Sequence, residues 1–544
     1  MSQFRRAKTG GLRTSAAVAV VAAVAVSILA GSAPGNGTAA PRADTQPPSV
    51  PQGMAFAGRT RVTVRLVWRA ATDNVGVVGY RLYQNGARVG TTRRLSYSFT
   101  RLRCGTRYTF SVEAFDAAGN ASYRPEAVGS ISTKVCAGHS EPRPRSTRPA
   151  PKPTPRSGVA NVWIDPDGGS CHRSINPRRY TDSSACRTMQ NAYAAAAAGD
   201  TVNIVDGTYG SQTLHAGTKR ILFRAAGPGR PSFGQIVSAA ANITVRGILI
   251  EDRANVNGPC SDPDNAVLYP CGRNQTFDNV IVDGLNEGDD HGIRGVGAGF
   301  RLRNSVVRNI RDQKGFEAGA DDMVIEHNTW IRITVTESSV HNECMYVNGG
   351  NRSVYRGNLF IGCPTMALFF TNWNGGPAYR DVLIENNVFG HTLDDSGRWH
   401  PSCALLIGWG YNDQNSVHGW VVRYNTFETN PCTQSTPVRT DTGAGQWYGN
   451  LGGIDCAPEW VYRRNVGDTC GGVAEIRVSK AVNDRSSPNA APFYVNAPAG
   501  DFRLRRGAIA INKGDPKAFP RRDAAKRPRP NGRAPDAGAY EFRG

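Results

Sequence analysis

The chain has 544 residues, more than one compact domain usually holds, and its 61 Gly and 33 Pro favour turns and extended linkers over helices. The formal net charge of +20 is carried unevenly: residues 46–136 hold 13 Lys+Arg against 4 Asp+Glu, whereas residues 159–512 hold 32 against 34. The body therefore lacks a basic stripe interleaved with aromatics, and a nucleic-acid partner has little support.

At the N-terminus Arg5, Arg6, Lys8 and Arg13 precede an apolar run from Ala16 to Ala30, followed by small residues. This is the pattern of a secretory signal over residues 1–40, with cleavage near Ala40. The run is short for a stable span, and no later segment is apolar enough to cross a membrane. The 12 cysteines follow each other as Cys104/Cys136, Cys171/Cys186, Cys260/Cys271, Cys344/Cys363, Cys403/Cys432 and Cys456/Cys470. No C-x-x-C pair and no His spacing suggest zinc, so local disulfides and an oxidising compartment are expected. Nearest-neighbour pairing is the simplest reading, although sequence leaves connectivity open. A secreted monomer is expected.

Residues 46–136 alternate apolar and polar in short runs (RVTVRLVW, VVGYRLYQNG, YTFSVEAFD, VGSISTKV) with turn signals between, which predicts a small antiparallel sandwich. The stretches TDNVGVVGYRLYQNG and LRCGTRYTFSVEAFDAAGN resemble the fibronectin type III modules of secreted bacterial polysaccharide-degrading enzymes. Trp68 matches the buried core Trp and Tyr108 the corner tyrosine; the resemblance implies a spacer or weak binding module. Residues 137–158 are Pro-rich and basic, an extended tether.

Residues 159–544 read as a solenoid with caps. RTMQNAYAAAAAGD is the one strong helical stretch, with Ser183 or Ser184 as N-cap and Gly199 as the stop. Then one pattern recurs: QTFDNVIV, FRLRNSVV, MVIEHNTW, SVYRGNLF, VLIENNVF, WVVRYNTF. It places Asn304, Asn328, Asn358, Asn387 and Asn425 in one column, with Asn279 an earlier member. β-Branched and aromatic positions at a period of two dozen residues or more predict one strand set per unit. The expected fold is all-β, a right-handed parallel β-helix preceded by a small antiparallel sandwich. The helix followed by GDTVNIVDGTY resembles the N-terminal cap of the pectin-lyase-like β-helix superfamily. DFRLRRGAIAINKGDP and GRAPDAGAYEF resemble the C-terminal closing segment of its secreted members. That superfamily contains lyases, hydrolases, epimerases and adhesins, so the resemblance implies fold and not reaction.

A β-helix interior is packed, so chemistry is expected on the outer strand faces and in long turns. Counting back from the Asn column brings Asp289, Asp290, Lys314, His341 and Glu343 to one patch over three coils, with Arg294, Glu317 and Tyr346 further along the same strands. Two carboxyls from Asp289, Asp290, Glu317 and Glu343 would serve hydrolysis. A base from Lys314, His341 or Tyr346, with Arg294 on the substrate carboxylate, would serve a uronate lyase. Asp321 and Asp322, with Asp289 and Asp290, could hold Ca²⁺ for that lyase chemistry. Trp373 and Trp399, in aromatic insertions with Tyr379, Trp409, Tyr411 and Trp420, would face sugar rings. The expectation is a secreted protein that binds and cleaves an extracellular polysaccharide; the competing class is a non-catalytic glycan-binding surface protein.

Overall fold

The computed structural model describes all residues other than 1–43, 45–47, 50, 52–53, 85–86, 105, 123–128, 135–157, 254–257, 261–264, 287–289, 336–341, 372–378, 391–402, 410–416, 429–431, 434–444, 455, 457–459, 479–492 and 498–499. The expected signal segment and all but the last residue of the Pro-rich tether lie outside the described residues. No described helix is long and apolar enough to cross a membrane.

The front module is a sandwich of a three-stranded and a four-stranded antiparallel sheet. Val64, Leu66, Tyr80, Leu82, Phe99, Phe110 and Val112 point inward, as their alternation requires, and Trp68 packs edge-on against Tyr80 at 5.4 Å. The Tyr108 hydroxyl accepts the Arg103 backbone N–H at 2.7 Å, closing the corner.

The body is a right-handed parallel β-helix whose coils contribute to sheets of 12, 11 and 9 strands among the described residues. Each coil adds one short strand to each sheet in constant register, so every strand is paired on both sides except at the two ends. Inside, Trp330, Phe360, Phe389 and Phe427 stack ring on ring, the last two steps at 5.1 and 4.9 Å. These are the aromatic residues that end the repeated sequence pattern.

At one corner a buried ladder of amides runs along the axis. The Asn358 side-chain oxygen accepts both the backbone N–H and the side-chain amide of Asn328, and Asn387, Asn425, Asn450 and Asn465 repeat the arrangement. The ladder satisfies backbone groups that a tight turn would otherwise bury unpaired. Asn304 is not a rung: it occupies the preceding left-handed corner at φ 50°, and Ser305 takes the ladder position, bonding Asn328 Oδ1 through its backbone N–H. Asn279 also sits in the left-handed column at φ 55°. Asparagine suits both columns, since it tolerates positive φ and also bonds backbone amides. This one-residue slip in the first coils changes the register of the candidate site.

The short α-helix spans Met189–Ala195 and is capped by Thr188, whose Oγ1 accepts the Asn191 N–H at 3.1 Å. Ser183 and Ser184 lie instead in a 3₁₀ turn, Asp182–Ser184. Met189, Ala192 and Tyr193 bury against the first coils and cover their apolar interior. Four of the expected cysteine pairs are disulfides: Cys171–Cys186, Cys260–Cys271, Cys344–Cys363 and Cys456–Cys470. Cys104 is also disulfide-bonded; Cys136 and the side chains of Cys403 and Cys432 lie outside the description.

Candidate active site on the nine-stranded sheet

Two of the three outer faces carry structural pairings among the described residues. Along the 12-stranded sheet Arg246 pairs with Asp278, and Arg303, Glu326, Arg356, Glu385 and Arg423 form a run of ion pairs from coil to coil. The outward apolar residues of the 11-stranded sheet, Val388, Leu451 and Val466, are covered by Phe493, Phe502, Leu504, Ala537 and Ala539 of the C-terminal segment. That segment is tied down by the Tyr424 hydroxyl donating to Asp515 O and by the buried Arg529–Glu541 pair at 2.7 Å. The outer face of the nine-stranded sheet carries the candidate site.

Its strands His291–Arg294, Phe316–Ala318, Glu343–Val347 and Met366–Thr371 lie side by side. Ile293, Phe316, Met345 and Leu368 point into the core, as do Ala318, Val347 and Phe370. The positions between them project outward in two parallel columns. One column is Arg294, Glu317, Tyr346, Phe369 and Leu406. The other is His291, Lys314, Glu343 and Met366, joined through Gly292 N–H to Lys314 O and Gly315 N–H to Glu343 O, both at 3.0 Å. Adjacent strands stand about 4.8 Å apart, so His291 and Glu343 are about 10 Å apart along the axis.

The columns are polar in the middle coils and apolar beyond them, where Met366, Phe369 and Leu406 cluster with Tyr346 apart from the core. Glu317 receives the Lys314 ammonium at 3.1 Å and faces His291 Nδ1 at 3.6 Å. The same ammonium lies 4.7 Å from the centre of the Tyr346 ring. Glu343 is fully buried, and neither carboxyl oxygen has a hydrogen-bond partner beyond its own backbone amide among the described residues. Burial pushes its pKa up to about 8, with the Glu317 charge adding to the rise and Lys314 opposing it. At neutral pH the site thus holds a protonated Glu343 carboxyl beside the Lys314–Glu317 pair. Lys314, Glu317 and Tyr346 are half-buried and mark the open side.

The structure brings together Lys314, Glu317, Glu343, Arg294 and Tyr346 from the predicted patch. Asp290 is shifted out of the column: it aligns with Gln313 and Asn342, and His291 takes its place. From Ser305, Asn328 and Asn358 the column lies 14, 14 and 15 residues back, so equal turns were the wrong assumption. Asp289, His341, Trp373 and Trp399 lie outside the described residues. Asp321 and Asp322 sit on a turn, where Arg352 binds Asp321 at 3.1 Å and Asp322 at 2.8 Å. With their oxygens held by a guanidinium, they do not offer the bare carboxylates a Ca²⁺ site needs. Tyr379 and Trp420 are core residues, not groove residues. Sequence reasoning missed His291, Met366 and Phe369, whose outward direction follows only from the true register.

The fibronectin type III family model matches residues 49–129. Residues 49–129 are a fibronectin type III domain. The domain accounts for the curated relatives: chitinase Chi52 of Paenibacillus xylanexedens is 44% identical over 136 residues, 25% of this chain and 24% of that protein. Chitinase D of Niallia circulans is 43% identical over the same length and shares. The chain thus spans about a quarter of these relatives. Among solved structures, pectate lyase Pel9A is 15% identical, with 71% of this chain and 98% of that chain covered at TM-score 0.37. The family 28 exopolygalacturonase of Yersinia enterocolitica is 12% identical, with 79% and 98% covered at TM-score 0.21. The parallel coils and their amide ladder make the body a right-handed parallel β-helix; its chemistry has to be argued from its own residues.

Proposed function

We propose that the chain is an extracellular protein that hydrolyses a glycosidic bond of a polysaccharide at the outward columns of the nine-stranded sheet. The observation that carries this reading is the contrast between two neighbouring carboxyls: burial keeps Glu343 protonated to about pH 8, while Glu317 is paired with the Lys314 ammonium at 3.1 Å. Acid-assisted glycoside cleavage needs that pair, one carboxylic acid to protonate the leaving oxygen and one carboxylate as base or nucleophile. Glu343 is the acid and Glu317 the base; Lys314 positions Glu317, and the half-buried Tyr346 offers ring surface to sugar C–H groups. Substrate would reach Glu343 from the half-buried side formed by Lys314, Glu317 and Tyr346. The disulfides and the chitinase-type domain support an extracellular setting and a polysaccharide partner.

Proton abstraction from a uronate is less well served, because the Lys314 ammonium is ion-paired and Asp321 and Asp322 are bound to Arg352. Incubating the protein with neutral and acidic polysaccharides, with and without Ca²⁺, tests the proposal. New reducing ends without unsaturated uronates are expected. Unsaturated products would replace hydrolysis by elimination, and no product from any polymer would favour a purely binding protein.

A further inference from the structure

We propose that the candidate site is closed at both ends along the coil axis, so that the chain acts on polysaccharide ends and short oligosaccharides instead of cutting in mid-chain. The inference rests on the function proposed above and adds to it the form of the substrate. On the N-terminal side the outward columns continue as Ala266, which pairs with His291, and as Tyr269, which pairs with Val237 and is followed in register by Arg294. These positions are closed: Val237 and Ala266 are 0% exposed and Tyr269 1%, in an outward cluster separate from the core that includes Cys260. The covering segment is tied back to its own coil by the Cys260–Cys271 disulfide. Gly258 of that segment lies so close that a Cβ there would run into the Val237 side chain.

On the C-terminal side Met366, Phe369 and Leu406 form a second outward cluster and are 8%, 7% and 2% exposed. A sugar chain following the columns therefore meets closed positions on either side. Between them Arg294, Lys314, Glu317 and Tyr346, on three successive coils, are partly exposed. Three coils span about 10 Å, and a pyranose ring with its linking oxygen is about as long as one strand spacing. The open stretch holds a short run of rings, whereas a polymer cut in mid-chain needs outward surface on further coils to each side of the acid. Each turnover adds one water across a bond near the chain end, the hydroxyl going to the anomeric carbon and the proton to the leaving oxygen.

The test is product length early in the reaction, read by mass spectrometry beside solution viscosity. The full chain acts on polygalacturonate, xylan and laminarin and on the short oligomers of each. Mono- and disaccharide products are expected from the outset, with viscosity almost unchanged while reducing ends rise. The rate should increase with the number of chain ends at equal polymer mass. Cys260→Ser/Cys271→Ser loosens the N-terminal wall; it should raise the viscosity loss per new reducing end about threefold or more and leave cleavage of short oligomers near the wild-type rate. Cys456→Ser/Cys470→Ser, on later coils, is the control and should keep the wild-type pattern. Long products with an early fall in viscosity from the wild-type chain would overturn the proposal, as would a folded Cys260→Ser/Cys271→Ser chain that still releases only end products. If that variant does not fold, the wild-type product pattern decides alone. Mid-chain cleavage would defeat this inference and leave the hydrolase reading standing, whereas no cleavage of any polymer or oligomer would defeat both.

Discussion

Burial keeps the Glu343 carboxyl protonated to about pH 8 in the folded chain, whereas an unfolded Glu releases its proton near pH 4.3. Between those values the folded state binds the extra proton, so this residue's contribution to stability is full below about pH 4 and is lost as pH rises through about 8. Denaturation midpoints of wild type should therefore fall more steeply from pH 5 to pH 8 than those of Glu343→Gln; equal slopes would show that Glu343 titrates normally. Lys314 opposes the rise in the Glu343 pKa and pairs with Glu317 at 3.1 Å. Lys314→Met should move the limb of the pH–rate profile set by Glu343 to higher pH, with the rate at the optimum cut about tenfold or more as Glu317 loses its positioning. An unmoved profile with a uniformly lower rate would mean that the lysine acts only by binding.

At the scale of the element, the amide ladder and the aromatic stack are what make short two- and three-residue strands hold their register. Asn387 Oδ1 accepts from Asn358, and its amide donates to Tyr355 O and Asn425 Oδ1, all buried. Asn387→Ala leaves those groups without partners and should cost about 2–4 kcal/mol, read as a lowered chemical-denaturation midpoint. A cost below about 1 kcal/mol would mean that water or neighbouring amides replace the ladder. These elements were legible in the sequence because aromatic and β-branched residues recur beside each asparagine. The candidate site was only half legible. Asparagine occupies both the left-handed corner, as at Asn304 and Asn386, and the ladder, as at Asn328 and Asn387, so composition alone does not say which column a given Asn joins. A one-residue error there exchanged His291 for Asp290 and hid the outward direction of Met366 and Phe369. Asn450 and Asn465 escaped because the coils that carry them lack the aromatic residue after the asparagine.

For the whole molecule, the C-terminal segment is part of the body's wall. Phe493, Phe502, Leu504, Ala537 and Ala539 cover the outward apolar residues of the 11-stranded sheet, and Lys526 and Arg529 reach back to Asn304 and Asn386. Ending the chain at Asn512 removes Ala537 and Ala539 and should expose Leu451, seen as increased binding of an apolar dye and a shift to larger species on size exclusion. A truncated chain that stays monomeric and melts as wild type would show that the segment is dispensable.

The most direct measurement is the rate of reducing-end release by Glu343→Gln relative to wild type, on the polysaccharide that wild type cleaves, at a pH below 8. If Glu343 donates the proton to the leaving oxygen, the variant should be slower by about 10²–10⁴-fold with its melting point at pH 5 close to that of wild type. A variant that cleaves at the wild-type rate would place the chemistry on other residues and contradict the account.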